Sequence, residues 1–254
     1  MYETDPCNAS ILAWLASIGA AGADHVAAAC GLSAAAARAR LRALERYGLA
    51  RRERLLHGAP ALHLLTRAGL RAAGRPEIDP PAVSAAGFAH LLAVAQAAVA
   101  LGREHGAIAG ERELRALERA EGRPLASAQV GYRADGSAAL HRPDLVCWLE
   151  PLPVAVEVEL TVKAPRRLRA IVRGWARSRL VGGVVYYAPP HVARAVAAAV
   201  RSEQAAERVA LLPLEDIGVL PDFQAVADRI SIDEFHPKRA VASPSASTPT
   251  TRRP

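Results

Sequence analysis

The sequence is poor in aromatic residues and in cysteine. Only 4% of the 254 residues are Phe, Trp or Tyr although 51% are hydrophobic, because much of the apolar content is alanine. Small side chains of this kind predict closely packed helices around cores of modest size. The three cysteines, Cys7, Cys30 and Cys147, show no paired spacing. Neither a disulfide framework nor a zinc site is indicated, and we expect three small buried side chains.

Long hydrophobic runs are also lacking. No apolar run is long enough to cross a bilayer, and the first residues do not follow the basic-then-apolar order of a signal peptide. We therefore expect a cytoplasmic protein without a membrane partner. Its length allows one large domain or two small ones.

The net charge of +7 is unevenly distributed along the chain. Residues 1–75 carry ten basic and five acidic side chains, whereas residues 76–235 carry eighteen basic and twenty acidic ones. The last segment, 236–254, has four basic side chains and no acidic one. Basic ends favour contact with a polyanion, so DNA is the expected partner. The middle of the chain is not expected to be a general DNA-coating surface.

The N-terminal part of the chain predicts three helices followed by a β-hairpin. Asp24 and Ser33 are placed to cap the second and third helices, and Gly48 ends the third. Two β-forming runs follow at 49–56 and 61–65, joined by a short turn.

This order of elements resembles a winged helix-turn-helix domain over residues 1–75. In that family the third helix enters the major groove and the hairpin touches the DNA backbone. The resemblance implies DNA contacts by arginines of the third helix and the hairpin: Arg38, Arg42, Arg46, Arg51, Arg52 and Arg54. The alanines at 34–37 offer no hydrogen bond to a base edge, which predicts weak sequence reading or a role in protein contacts. The alternative is a solvated charged face on a small helical domain.

A proline-rich stretch at 76–83 is predicted to link this domain to a second one at 84–235. The second domain is expected to follow the order α, β, β, β, α, β, then α, β. Its predicted helices are 84–104, 111–121, 166–179 and 191–204, and its predicted strands are 129–133, 138–149, 152–160, 181–187 and 208–212. The Ser/Thr/Pro-rich segment 236–254 is predicted to be a disordered basic tail.

Three carboxylates accompany two neighbouring apolar strands of this second domain. Asp144 follows a proline in one strand, and Glu157 and Glu159 share a face of the next because residues two apart point to the same side. Oxygen ligands converging in this way suit Mg²⁺ or Mn²⁺. The alternative is a solvated face on which the two glutamates pair with Arg142, Arg166 or Arg169.

The same residues carry a resemblance to a nuclease superfamily. Pro143-Asp144, followed by Glu157-Val158-Glu159 on a strand within an αβββαβ order, resembles the PD-(D/E)xK superfamily with its restriction-endonuclease-like fold. Over about 11–214 the chain is similar to replication-relaxation family proteins of plasmids and integrated elements. Those proteins combine an N-terminal winged helix with segments like 111–115, 141–144 and 157–160. The expected fold class is therefore α+β or α/β, with a winged helix-turn-helix ahead of a restriction-endonuclease-like domain.

The resemblance implies a set of site residues and a metal. Asp144, Glu157 and Glu159 would be both catalytic residues and metal ligands, with Mg²⁺ or Mn²⁺ as the cofactor if the site is active. The superfamily places a lysine two residues after the second acid, but Glu159 stands there in this chain. The nearest lysine is Lys163, which we expect to reach back into the site as a fourth catalytic residue. Arginines at 166, 167 and 169 are alternatives for neutralising a phosphate.

Three functions follow from these patterns. The first is a DNA-binding protein of plasmid or mobile-element replication and relaxation, with metal-dependent DNA nicking or cleavage. The second is a winged-helix regulator of transcription or replication that keeps the fold without the chemistry. The third is a protein-interaction module. DNA is the expected partner and a homodimer is a further possibility, whereas the sequence does not identify other replication proteins as partners.

Overall fold

The computed structural model describes residues 5–221 and 223. The predicted tail, 236–254, and the last residues assigned to the second domain lie outside the described residues. Within the described part, no helix is long and apolar enough to cross a bilayer. Residues 5–221 and 223 form a mixed α/β structure with helices and three sheets.

The N-terminal unit contains four helices and a small sheet. Its elements are α1 (Pro6–Ile18), β1 (Ala20–Gly22), α2 (Ala23–Ala29), α3 (Ala34–Arg46), β2 (Ala50–Glu53), β3 (Leu62–Leu65) and α4 (Arg67–Ala72). The three strands are antiparallel in the order β1–β3–β2. Leu41 and Leu44 of α3 pack with Ile11 and Leu12 of α1 in one buried cluster. The predicted helices and hairpin are present, and β1 is an additional strand.

Helix caps in this unit agree with the sequence at one predicted position and differ at another. Ser33 caps α3 by accepting a hydrogen bond from the Ala36 amide at 3.2 Å, as predicted. The prediction that Asp24 caps α2 is wrong, because β1 runs to Gly22 and this extended glycine is the N-cap. Asp24 lies in the first turn, where a carboxylate still stabilises the helix through its dipole.

The C-terminal unit alternates helices and strands. Its elements are α5 (Phe88–His105), β4 (Ile108–Gly110), α6 (Glu111–Glu121), β5 (Ala128–Tyr132), β6 (Ala138–His141), β7 (Leu145–Cys147), β8 (Val154–Val158), α7 (Pro165–Arg177), β9 (Gly183–Tyr187), α8 (Pro190–Ser202), β10 (Val209–Leu212) and a 3₁₀ turn at Leu214–Asp216. A five-stranded sheet has the order β10–β9–β8–β7–β4. In it β4, β7 and β8 pair antiparallel, and β8, β9 and β10 pair parallel.

Helices cover both faces of this sheet. Alternate residues of β8 point to opposite sides, so Val156 and Val158 pack with α5 while Ala155 packs with α7. Trp175 of α7 and Tyr186 of β9 are fully buried on the α7 side. The carboxylate of Glu157 therefore enters the layer between the sheet and α7.

One predicted strand is divided in the structure. The segment predicted as 138–149 forms β6, which pairs only with β5 in a separate hairpin, and β7, which belongs to the main sheet. The break falls at Arg142-Pro143, because proline has no amide hydrogen to donate to a ladder and restricts the residue before it. The three-residue strand β4 was not predicted.

The cysteines are free thiols with different degrees of burial. Cys147 in β7 is fully buried, and this burial raises the pKa of its thiol to about 12. Cys7 and Cys30 are only partly buried, so the prediction of three buried side chains is wrong for them. Both lie near the surface of the N-terminal unit.

The two units share apolar packing on either side of the proline-rich segment 76–83. Ala95 of α5 and Ala116 of α6 belong to the same buried cluster as the core of the N-terminal unit. Gly110 at the end of β4 donates its amide hydrogen to the Ser17 hydroxyl of α1 at 3.3 Å. The 76–83 segment lies against the first unit, since Ile78 is buried and Arg51 bonds to the Pro81 carbonyl at 2.7 Å.

Candidate functional site

The outer face of α3 and the neighbouring hairpin strand form a basic surface. Arg42 and Arg46 of α3 are exposed one turn apart, while Ala37, Leu41 and Leu44 bury the opposite face. Among the described residues these two arginines have no ion-pair partner. Their guanidinium groups are therefore available to an external anion.

The other predicted DNA-contact residues fall into two groups. Arg52 and Arg54 are exposed on the hairpin. Arg38 is paired with Asp24 at 2.7 Å, and Arg51 is paired with Glu53. All six arginines therefore lie in the N-terminal unit, and two of them, Arg38 and Arg51, are neutralised by neighbouring carboxylates.

In the C-terminal unit, Asp144 and Glu157 lie across from each other on neighbouring strands. The β7–β8 register pairs Leu145 with Val156, and one step outward places Asp144 beside Glu157. Asp144 accepts a hydrogen bond from the Val158 amide at 2.8 Å through one carboxylate oxygen. Its other oxygen lies 3.1 Å from His90 Nε2 of α5. Both Asp144 oxygens are therefore engaged by the protein.

Glu157 is buried and has two hydrogen-bond partners. His141 Nε2 lies 2.6 Å from its Oε1, and Trp175 Nε1 donates to the same oxygen at 3.2 Å. The His141 and Trp175 rings also meet edge to face, with centroids 5.9 Å apart. These three side chains form a compact polar cluster that we call the Glu157 cluster.

Electrostatics in and beside the Glu157 cluster favour a charged pair. Burial lowers the pKa of His141, but the charge and hydrogen bond of Glu157 outweigh it, so the pKa lies above the usual 6.5. Burial, assisted by the nearby Glu157 charge, raises the pKa of Tyr186 well above 10. The Glu157 carboxylate therefore favours the protonated form of His141, and the Tyr186 phenol beside it stays neutral.

Glu159 and Lys163 form a second pair just beyond β8. Glu159 is buried and its amide donates to the Tyr187 carbonyl at 2.9 Å. Lys163, four residues later, places its ammonium against the Glu159 carboxylate. Lys163 therefore extends toward the carboxylates, and Glu159 is the carboxylate that it contacts and neutralises.

The ion pairs of Glu157 and Glu159 limit the binding of a metal ion at the predicted carboxylate site. Within residues 5–221 and 223, no group of three or more His, Cys, Asp or Glu side chains is arranged to hold a metal ion. His141 and Lys163 already supply positive charge to Glu157 and Glu159. A divalent ion would have to displace one of these cations, so the metal site stays a prediction.

Three residues of this region were not predicted to act on the carboxylates. His90 on the alanine-rich α5 and Trp175 on α7 bond to Asp144 and Glu157 from distant parts of the chain. The 141–144 run was recognised, but the contact of His141 with Glu157 depends on the break after β6. Only a spatial arrangement reveals such partners.

Comparison with known protein families matches one part of the chain. Residues 7–67 are similar to the family described as FaeA-like protein. This match covers the elements from α1 to the start of α4 and none of the C-terminal unit. No curated protein matches the chain.

Proposed function

We propose that this chain is a DNA-binding regulatory protein whose N-terminal unit is a winged helix-turn-helix that contacts duplex DNA. The observation that carries the proposal is the exposed pair Arg42 and Arg46 on α3, which has no ion-pair partner among the described residues and lies beside the basic hairpin. The order α1–β1–α2–α3–β2–β3 supports it, as does the similarity of residues 7–67 to the FaeA-like protein family. Replication or transcription of a plasmid or mobile element is the process that we propose it controls.

The chemistry of the α3 surface favours phosphate contacts over base reading. Arg42 and Arg46 can each neutralise a phosphate, while Ala34 and Ala35 at the start of α3 have no polar atom to offer a base. Binding of this type releases counterions and weakens steeply with salt. We therefore propose strong dependence on ionic strength and little discrimination between sequences.

The test compares DNA binding by two double variants of the whole chain. Replacing Arg42 and Arg46 with alanine should weaken binding to a labelled duplex about tenfold. The slope of log affinity against log salt concentration, which we call the salt slope, should become less steep by about two. Replacing Arg194 and Arg201 with alanine removes the same net charge from the exposed side of α8 and serves as the control. Equal affinities for the two variants, measured by fluorescence anisotropy, would remove the winged-helix proposal.

A second candidate function is metal-dependent DNA nicking by the C-terminal unit. The cross-strand placement of Asp144 and Glu157 favours it, as does the order α5–β4–β7–β8–α7–β9, in which α6 and the β5–β6 hairpin are inserted. This order supports the restriction-endonuclease-like αβββαβ fold that we propose for the unit. Lys163 faces Glu159, so its charge is already shared with a carboxylate.

Supercoiled plasmid incubated with Mn²⁺ tests this candidate. Asp144→Asn keeps an oxygen that can accept the Val158 amide hydrogen but removes the negative charge. Nicking by the parent and not by the variant, together with weaker Mn²⁺ binding measured by electron paramagnetic resonance, would support nuclease action. Equal behaviour in both measurements would eliminate nuclease action and leave the regulator.

A further inference from the structure

A strongly basic cleft lies between the C-terminal half of α6 and the β5–β6 hairpin. Its volume is about 640 Å³. Five arginines line it together with a single acidic residue, Glu118: Arg115, Arg119, Arg123, Arg133 and Arg142. We call it the arginine cleft, and it is separate from the basic surface of α3.

Two of these arginines are aligned by the helix itself. Arg115 and Arg119 are four residues apart, which places them on one face of α6, and Arg123 lies just beyond the helix end at Gly122. Like charges at this spacing repel each other and destabilise an isolated helix. A face that concentrates repelling cations is stabilised when an anion binds to it.

Arg142 is held in the cleft by a buried carboxylate. Its Nε donates to Glu118 Oε2 at 2.8 Å, and the two side chains are 19% and 3% exposed. Glu118 Oε1 also accepts hydrogen bonds from the Leu125 amide at 3.0 Å and from the Ser127 hydroxyl at 2.5 Å. The charge of Glu118 is therefore used within the protein, and it orients a guanidinium whose Nη groups have no partner in the described part of the chain.

The positive charge of the cleft is only partly compensated. Arg115 pairs with Glu111, and Arg123 lies 3.9 Å from Glu121. Arg119 has no ion-pair partner among residues 5–221 and 223. Arg133 likewise has no ion pair within those ranges, and its guanidinium donates to the Ser137 hydroxyl at 3.3 Å.

We propose that the arginine cleft binds phosphate groups of a nucleic-acid strand. Guanidinium groups match phosphate oxygens with two parallel hydrogen bonds, and an open cleft lets a strand continue beyond it. The proposal rests on the proposed function for the identity of the polyanion, which is the DNA proposed to bind α3. His141 and Arg142 are consecutive, so β6 joins this cleft to the Glu157 cluster.

The experiment removes from the whole chain the two cleft arginines, Arg119 and Arg133, that have no ion pair among the described residues. Arg119→Ala with Arg133→Ala is compared with the parent, with Arg42→Ala/Arg46→Ala and with the Arg194→Ala/Arg201→Ala control. The probes are a labelled duplex and a labelled single strand of the same sequence, titrated across a range of salt concentrations. Inorganic pyrophosphate is added as a competitor, because a site for small phosphorylated molecules has the same chemistry.

We expect the cleft variant to lose about tenfold in affinity for at least one probe and about two units of salt slope, with the control within twofold of the parent. Affinity of the cleft variant equal to that of the control for both probes would overturn the proposal. Pyrophosphate binding that requires the cleft arginines, without any change in nucleic-acid affinity, would also overturn it. If the α3 variant binds like the parent while the cleft variant does not, the winged-helix proposal fails and the cleft proposal stands.

Discussion

Burying a carboxylate against a sheet requires compensation, and the Glu157 cluster provides it with one charge and one neutral donor. His141 supplies the charge at 2.6 Å, and the Trp175 indole supplies the second hydrogen bond. Removing one partner from a buried ion pair commonly costs about 3–5 kcal/mol, because the remaining charge stays in a poorly solvated site. His141 is therefore expected to be important for folding whatever chemistry Glu157 performs.

The raised pKa of His141 makes this contribution dependent on pH. A histidine whose folded pKa lies above its unfolded value of 6.5 stabilises the fold fully below pH 6.5. That stability is lost as the pH rises through the folded pKa. We expect the difference in unfolding free energy between the parent and His141→Gln to be largest below pH 6.5. The difference should shrink as the pH rises through the folded pKa of His141.

Urea unfolding at a series of pH values measures this difference. His25, His63 and His90 titrate in both proteins, so subtracting the variant from the parent isolates His141. Lys163 and Asp144 also act on His141 with opposite signs, and both are retained in the variant. A difference that is the same at every pH would contradict the ion pair.

At the same scale, the sequence predicted which side chains share a face but not their partners. The alternation of 154–160 correctly separated Glu157 from the valines that pack on α5. The bonds from His90 and Trp175 join segments 54 and 18 residues apart, and no local pattern specifies such contacts. The carboxylates and the approach of Lys163 could be expected from the sequence, whereas the contacts from His90, His141 and Trp175 could not.

Among the elements, the helices were predictable because their end signals are local. Ser33 and Thr66 cap α3 and α4 through their own side chains, and Gly122 ends α6 in the left-handed conformation that glycine favours. The predicted bounds of 111–121 agree with the structure. Each of these features depends on residues within one turn of the helix end.

The strands were harder to predict because pairing decides them. β1 and β4 have only three residues each, and apart from Ile108 they consist of alanine and glycine, which carry no β signal. Each exists because a neighbouring strand, β3 or β7, pairs with it. The break at Pro143 sends β6 and β7 to different sheets, although both read as one apolar run.

For the molecule as a whole, α1 connects the two units. It packs in the core of the N-terminal unit through Ile11 and Leu12, and its last turn reaches β4 through the Ser17 hydroxyl, which lies 3.4 Å from the Ile108 carbonyl oxygen. Arg75 also pairs with Glu113 of α6. Buried alanines of α5 and α6, Ala95 and Ala116, therefore complete the core of the N-terminal unit.

Gly110→Ala tests this connection. A methyl group at Gly110 would collide with the Ser17 carbonyl of α1, and overpacking of this kind costs about 1–3 kcal/mol. We expect lower amide protection against hydrogen exchange in α2 and α3 as well as in β4 and β7, because the contact supports both units. Gly102→Ala is the control, since its methyl would make only an ordinary 3.7 Å contact with Ile108. Loss of protection confined to β4 and β7 would show that the units are independent.

The seating of α1 against β4 also limits modular exchange of the N-terminal unit. A foreign module grafted ahead of residue 76 would bring its own first helix. The outer face of that helix would carry polar side chains suited to solvent exposure. The Ser17 hydroxyl that accepts the Gly110 amide hydrogen would be missing, and small apolar side chains of α5 and α6 would lose their cover. A functional chimera of this protein has to carry the outer face of α1 along with the sheet that it covers.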